Sequence, residues 1–233
     1  VAALTGTLKI GEAISGFANS AIWLIVGAFL FSRGFIKTGL GKRIAYNLIA
    51  AFGSSSLRLS YALALSDLIL APATPSNTAR VGGVIMPITT SLAKAFGSEP
   101  QDGPRKIGSF LMQSIYQVNT ITSAMFQTSM AGNTLVAALA LQSFGIGITW
   151  GDWAMAAIVP GIIALIIMPY FIYKVYPPEI KDAREAQQMI REELKGLGKM
   201  SFQEWVMLGV FVLALVLWAT SQFTKIDATT VAF

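Results

Sequence analysis

The stretch LSYALALSDLILAPATPSNTARVGGVIMPITTSLA, residues 59–93, holds two apolar runs with a polar, proline-bearing segment between them. Each run, 59–70 and 81–93, is too short to cross a bilayer, which takes about 20 apolar residues as a helix. One helix through Pro72 and Pro75 is disfavoured, because each proline removes a backbone donor and presses on the preceding turn. Two half-length helices meeting at a polar tip satisfy both constraints, and together they form a re-entrant hairpin. Irregular backbone at such depth survives only when packed in protein or lining a wet cavity.

Composition places the hairpin in a membrane. An average soluble domain carries about 25% charged residues; this chain has 12%, with 54% hydrophobic residues and a mean hydropathy of +0.62. Too few polar residues remain to cover a soluble core, so lipid must hide the excess. In a soluble chain the net charge of +5 would raise nucleic acid as a partner. Here the basic residues fall in short segments between apolar runs, as membrane topology requires, and nucleic acid is set aside. The chain has no Cys and no His. That removes disulfides, thiolate nucleophiles, Cys/His zinc sites and imidazole acid–base chemistry from this stretch.

Outward from the hairpin, Phe17 to Ile36 is long enough to span the bilayer. Leu40, Ile44, Ala45, Leu48, Ile49 and Phe52 then recur at helical spacing, with Lys42 and Arg43 among the polar positions. The pattern predicts an amphipathic helix lying on the membrane surface, the fraying end of the first span being the alternative. Residues 1–58 are read as one unit, a first span plus this interfacial helix, and residues 59–96 as the hairpin. Lys37, Lys42, Arg43 and Arg58 precede the hairpin, and Lys94, Arg105 and Lys106 follow it. If the hairpin re-enters, both clusters share one side, and the positive-inside rule makes that side cytoplasmic.

Residues 107–144 read as a span broken near its middle by a polar run, 116–134. The connection 145–152 has no Lys or Arg and carries Trp150, with Trp153 just after it, which suits the outer interface. A return span over 153–176 ends at Pro177–Pro178, a charged linker follows over 177–200, and Ser201 with Glu204 fits a capping box opening the next span within 201–233. Val1 starts in mid-pattern and DATTVAF, 227–233, opens a further apolar run, so the sequence reads as part of a longer chain. The expected fold class is an all-α membrane protein, multi-pass and helical, with a re-entrant hairpin and a broken helix.

The two polar breaks carry what chemistry there is. A helix that restarts inside a membrane exposes free N–H groups with roughly half a positive charge, enough to hold a carboxylate without Lys or Arg, and broken helices around a central site are a recurrent transporter design. Ser76, Asn77 and Thr78 lie where the second half-helix begins; they are either plain N-caps or ligands. The second break offers Asn119, Thr120, Thr122, Ser123, Thr128, Ser129 and Asn133, some of which must merely satisfy unwound backbone. Asp67 and Arg80 are the hairpin's charges, and charges at membrane depth pair or serve function. A mutual pair is expected; Arg80 contacting an anion stays open.

At PSNTAR (75–80), TSAMF (122–126), GFANSAIWLIVGAF (16–29) and KTGLGKRIAY (37–46) the sequence resembles the divalent anion/sodium symporter family, nearest to its 2-oxoglutarate/malate translocators and citrate– or tartrate–succinate exchangers. The resemblance implies two inverted repeats, each giving one Ser-Asn-Thr hairpin tip and one unwound helix, with dicarboxylate bound between the tips. It further implies a homodimer whose transport domain moves as an elevator, in a bacterial cytoplasmic membrane or plastid inner envelope. By motif match Ser76, Asn77 and Thr78 are the first tip, and Thr122, Ser123, Thr128 and Asn133 fall in the first unwound helix. The second triplet is outside these residues. Sodium-coupled members hold a cation with a Ser one turn before the triplet and a Gly-rich loop; Pro72 and SerAlaMetPhe stand there instead. Hard cations need several oxygen ligands, so no cofactor or metal is expected; were sodium coupled after all, Ser76 and Asn77 would serve it.

Exchange of dicarboxylates or tricarboxylates is the expected function, with a sodium-coupled symporter as alternative. A channel would need a continuous polar pore, which a dead-ended hairpin opposes. An enzyme would need a catalytic cluster that this stretch lacks. Small carboxylate anions and the bilayer are the expected partners.

Overall fold

Asn19 accepts a hydrogen bond from Ala21 N at 2.9 Å and opens the first long helix, α1, Ser20–Thr38. Gly39, in the left-handed region at φ 78°, turns the chain sharply into α2, Leu40–Phe52. A computed structural model describes all residues, Val1–Phe233, as an all-α protein. After α2 come the hairpin limbs. The first, α3, is Ser56–Leu70, capped by Ser55 and ended by a 3-10 turn at Ala71–Ala73. The second, α4, starts at Asn77–Arg80, widens into a π turn at Val81–Ile85 and continues as Met86–Ala95 without leaving helical backbone angles. Pro87 explains the wide turn. It lacks the N–H that would reach the Gly83 carbonyl, and its ring presses on that carbonyl.

Helix α5, Gly108–Met125, leads into a break with a 3-10 turn at Gln127–Ser129, and α6, Ala131–Phe144, follows. Helix α7, Trp150–Val175, is opened by a capping box of Thr149 with Asp152. Helix α8 is Arg184–Gly196, and α9, Phe202–Ala219, opens on a capping box of Ser201 with Glu204. Short turns at Ile10–Ala13, Ser15–Ala18, Ser221–Thr224 and Ala228–Ala232 complete the chain. Of these, α1, α7 and α9 are long and apolar enough to cross a membrane. Their exposed Leu30, Ile163, Ile167, Leu213 and Val216 form the surface that lipid would cover.

Both feet of the hairpin stand at one end of the molecule. Residues 179–183 form a strap between them: Ser56 N donates to Lys181 O at 2.9 Å and Ala183 N to Ser54 O at 3.2 Å, while Glu179 N reaches Arg105 O and Ile180 N reaches Lys106 O. Lys106 Nζ in turn donates to Gly97 O, and Ser98 Oγ accepts from Gly108 N, closing the foot of α4. Within the strap, Arg184 donates to Asp182 and draws its exposed carboxyl down to about 2. The limbs pack on α5 through Leu59, Leu63, Leu70, Ile85, Ile88, Leu92, Phe110 and Leu111. In a bilayer such contacts hold by close packing rather than by escape from water.

Two features differ from the sequence reading. Most of the apolar face of α2 is covered by protein, with Leu40, Ala45 and Ile49 at 2% exposure or less, while Phe52 at its end stays exposed. Its Arg43 is buried as well: Nε lies 2.6 Å from Glu204 Oε1, and the rest of the guanidinium donates to the carbonyls of Leu197, Gly198 and Lys199. Trp150, expected at the outer interface, is also buried, stacked against Phe126 and Trp218. Hydropathy spacing marks which side chains avoid water; it does not say whether lipid or protein covers them.

Candidate functional site

The hairpin tip arises because residues 74–76 leave helical geometry, so the carbonyls before them lose their usual partners. Nearly every one is satisfied from elsewhere. Thr74 Oγ1 donates to Leu70 O, Thr74 N to Ala71 O, Thr128 Oγ1 to Pro72 O, Arg80 Nη1 to Thr74 O, and Ala131 N to Pro75 O. The break after α5 therefore docks on the carbonyl side of the tip. On the other side lie N–H groups. Ser76 Oγ caps Ala79 N at 3.2 Å and Asn77 Oδ1 accepts from Thr78 N at 2.9 Å, while the amides of Ser76 and Asn77 have no partner within the chain. Thr78 is exposed, and its hydroxyl is unengaged.

Arg80 joins the tip to the break. Nε donates to Asp67 Oδ1 at 2.8 Å, Nη1 to Thr74 O and Ser129 O, and Nη2 to Thr122 Oγ1 and Ser123 Oγ. A guanidinium has five N–H donors, and all five are engaged. Asp67 accepts in addition from Thr122 and, at 3.3 Å, from Asn119. Both charges are sealed, with side chains 0% and 1% exposed. The open question about Arg80 is answered by this pair: no N–H is left for an anion.

The break is shorter than the polar run 116–134 suggests. Tyr116 to Met125 stay helical, and the chain unwinds over Phe126–Met130. The four candidates from this run lie around the tip, but their side chains bond protein. Thr122 and Ser123 serve Asp67 and Arg80. Thr128 accepts from Trp150 Nε1 at 3.0 Å while donating to Pro72 O at 2.7 Å. Asn133 Nδ2 donates to Ser123 O and Phe126 O. The structure thus brings the two polar breaks together, with Ser76, Asn77 and Thr78 on the outer surface of the cluster.

One residue escaped the sequence reading. Gln127, in the middle of the break, is 7% exposed and its side chain makes no hydrogen bond. It lines a cavity of about 410 Å³ shared with the starts of α1 and α7 and with Ser221, whose hydroxyl is equally unpaired. Its amide looks like the others in a polar run; only its lack of partners in the fold singles it out.

Comparison with known proteins extends what the geometry suggests. The family described as "Sodium:sulfate symporter transmembrane region" matches residues 1–233. YflS of Bacillus subtilis is 56% identical over the whole chain, which covers 49% of that protein. Dicarboxylate transporter 1, chloroplastic, of Spinacia oleracea is 46% identical over 98% of the chain and 40% of its own length. The L-tartrate/succinate antiporter of Escherichia coli is 42% identical over 88% of the chain and 42% of its length. The chain spans half or less of each. Its complete match to the family and its identity to these relatives show that the protein belongs to the sodium:sulfate symporter transmembrane family, the divalent anion/sodium symporters whose hairpin and broken helix it resembles.

Proposed function

We propose that this chain supplies the first-tip half of a secondary transporter that exchanges small dicarboxylates, with a substrate carboxylate received by Ser76, Asn77 and Thr78. The observation that carries the reading is the pair of unpartnered amides at Ser76 and Asn77, at the start of a helix continuous to Ala95 and beside a free Thr78 hydroxyl. Such a helix start favours a negative charge without a cationic side chain. In this reading Thr122, Ser123, Thr128 and Asn133 hold the tip and Arg80 in place. The second half of the site comes from an inverted repeat outside these residues, and the protein works as an elevator within a homodimer.

Exchange is favoured over sodium coupling on two grounds. Pro72 has no side-chain oxygen to offer a cation, and the oxygens of Thr122, Ser123, Thr74 and Ser129 already face the fixed guanidinium of Arg80. A metal ion there would lose ligands and meet a like charge. The family description, which names sodium, supports symport as the second reading. Full-length protein in proteoliposomes separates them. An exchanger accumulates labelled dicarboxylate only when unlabelled dicarboxylate is inside, with or without sodium; uptake that needs external sodium and no internal anion overturns the proposal.

A further inference from the structure

We propose that Trp150 is a positioning residue for the hairpin tip, acting through the Thr128 hydroxyl on the Pro72 carbonyl. The three groups form one directional chain: Trp150 Nε1 donates to Thr128 Oγ1 at 3.0 Å, and Thr128 Oγ1 donates to Pro72 O at 2.7 Å. Direction follows from the chemistry. An indole N–H only donates, so it occupies a lone pair of the hydroxyl, and the single hydroxyl proton is left for the carbonyl. All three residues are buried, with Thr128 at 1% and Trp150 at 6% exposure. In such surroundings linked hydrogen bonds reinforce one another, and a missing member leaves a costly orphan.

The indole is itself held. Its ring lies between Phe126, at 5.6 Å and 16°, and Trp218, at 6.2 Å and 16°. Phe126 opens the break and Trp218 belongs to α9, so the N–H direction is set by both. Pro72 O belongs to the last turn before the chain leaves the helix, and fixing it fixes the approach to residues 74–76. Ala131 N on Pro75 O adds a second tie from the same break. Trp150 thereby governs how far the Ser76 and Asn77 amides can swing. This role for Thr128 replaces direct contact with a solute.

The inference rests on the reading of residues 76–78 as the binding tip, so its test reads tip position without transport. In the full-length protein freed of other cysteines, Thr78→Cys is labelled with a water-soluble thiol reagent, and Ser91→Cys, exposed on α4 away from the tip, serves as control. Thr128→Val and Trp150→Phe, which keeps a ring in the stack, should each raise the Thr78→Cys labelling rate about three- to tenfold, the scale of one buried hydrogen bond. The double variant should add nothing to the larger single effect, Thr128→Ser should restore the parent rate, and Ser91→Cys labelling should not change. Unchanged Thr78→Cys labelling in Trp150→Phe, or an equal rise at Ser91→Cys, overturns the proposal. Failure of the parent protein to transport any dicarboxylate would instead overturn the exchanger reading, leaving the labelling result to stand by itself.

Discussion

Arg80 and Asp67 form an ion pair across the hairpin, 13 positions apart and 2.8 Å between Nε and Oδ1, with neither side chain reaching solvent. Removing one partner leaves the other charge buried and uncompensated. Arg80→Gln or Asp67→Asn should therefore destabilise by ~3–5 kcal/mol, and the double variant should recover part of that loss. Thermal unfolding of the purified full-length protein checks both. A double variant that loses as much as the two singles together would mean that the two charges do not act as a pair.

The second buried pair, Arg43 with Glu204, ties α2 to the start of α9. Besides the carboxylate, Arg43 reaches three backbone carbonyls at 197–199, more partners than the three N–H of an ammonium can serve. Arg43→Lys is expected to lower the melting temperature nearly as much as Arg43→Met. Full rescue by lysine would show that charge alone matters there.

At the tip, stability and transport should separate. Ser76→Ala removes the cap on Ala79 N and should cost about 1 kcal/mol. Thr78→Val touches no internal bond, so unfolding should shift by less than ~0.5 kcal/mol. It should nevertheless raise the KM for dicarboxylate exchange several-fold in counterflow. An unchanged KM would remove Thr78 from the contact set.

At Gly161 α7 packs directly on α5, because a Cβ there would lie 2.6 Å from Met125 Cγ. Met125 is the last helical residue before the break and is buried at 3%. Gly161→Ala should cost ~1–3 kcal/mol through overpacking, and adding Met125→Ala should relieve it. Unfolding curves of the three variants decide the matter.

The tip was legible in the sequence because its causes are local: two prolines and a run of small polar residues leave the backbone few options. The extent of the break was not. Asn119, Thr122 and Ser123 are polar because Asp67 and Arg80 need partners from a helix face, whereas Thr128 and Ser129 lie in the 3-10 turn of the break itself. Hydropathy gives the same signal for both cases. The burial of Trp150 and Arg43 was not legible for a related reason, since it depends on Trp218 and Glu204, far along the sequence.

The π turn at Val81–Ile85 has a consequence for how such hairpins vary. A π turn holds one residue more than an α turn, and each residue of an α-helix advances the azimuth by about 100°. Deleting a single position there, with Pro87 replaced, would let the limb relax to regular helix. The extra residue is absorbed within a single revolution, so Ser76–Thr78 would keep their bearing relative to the foot anchored at Ser98. The wide turn therefore works as a length buffer: the limb can carry one residue more or fewer at this level while the same three side chains keep their aim.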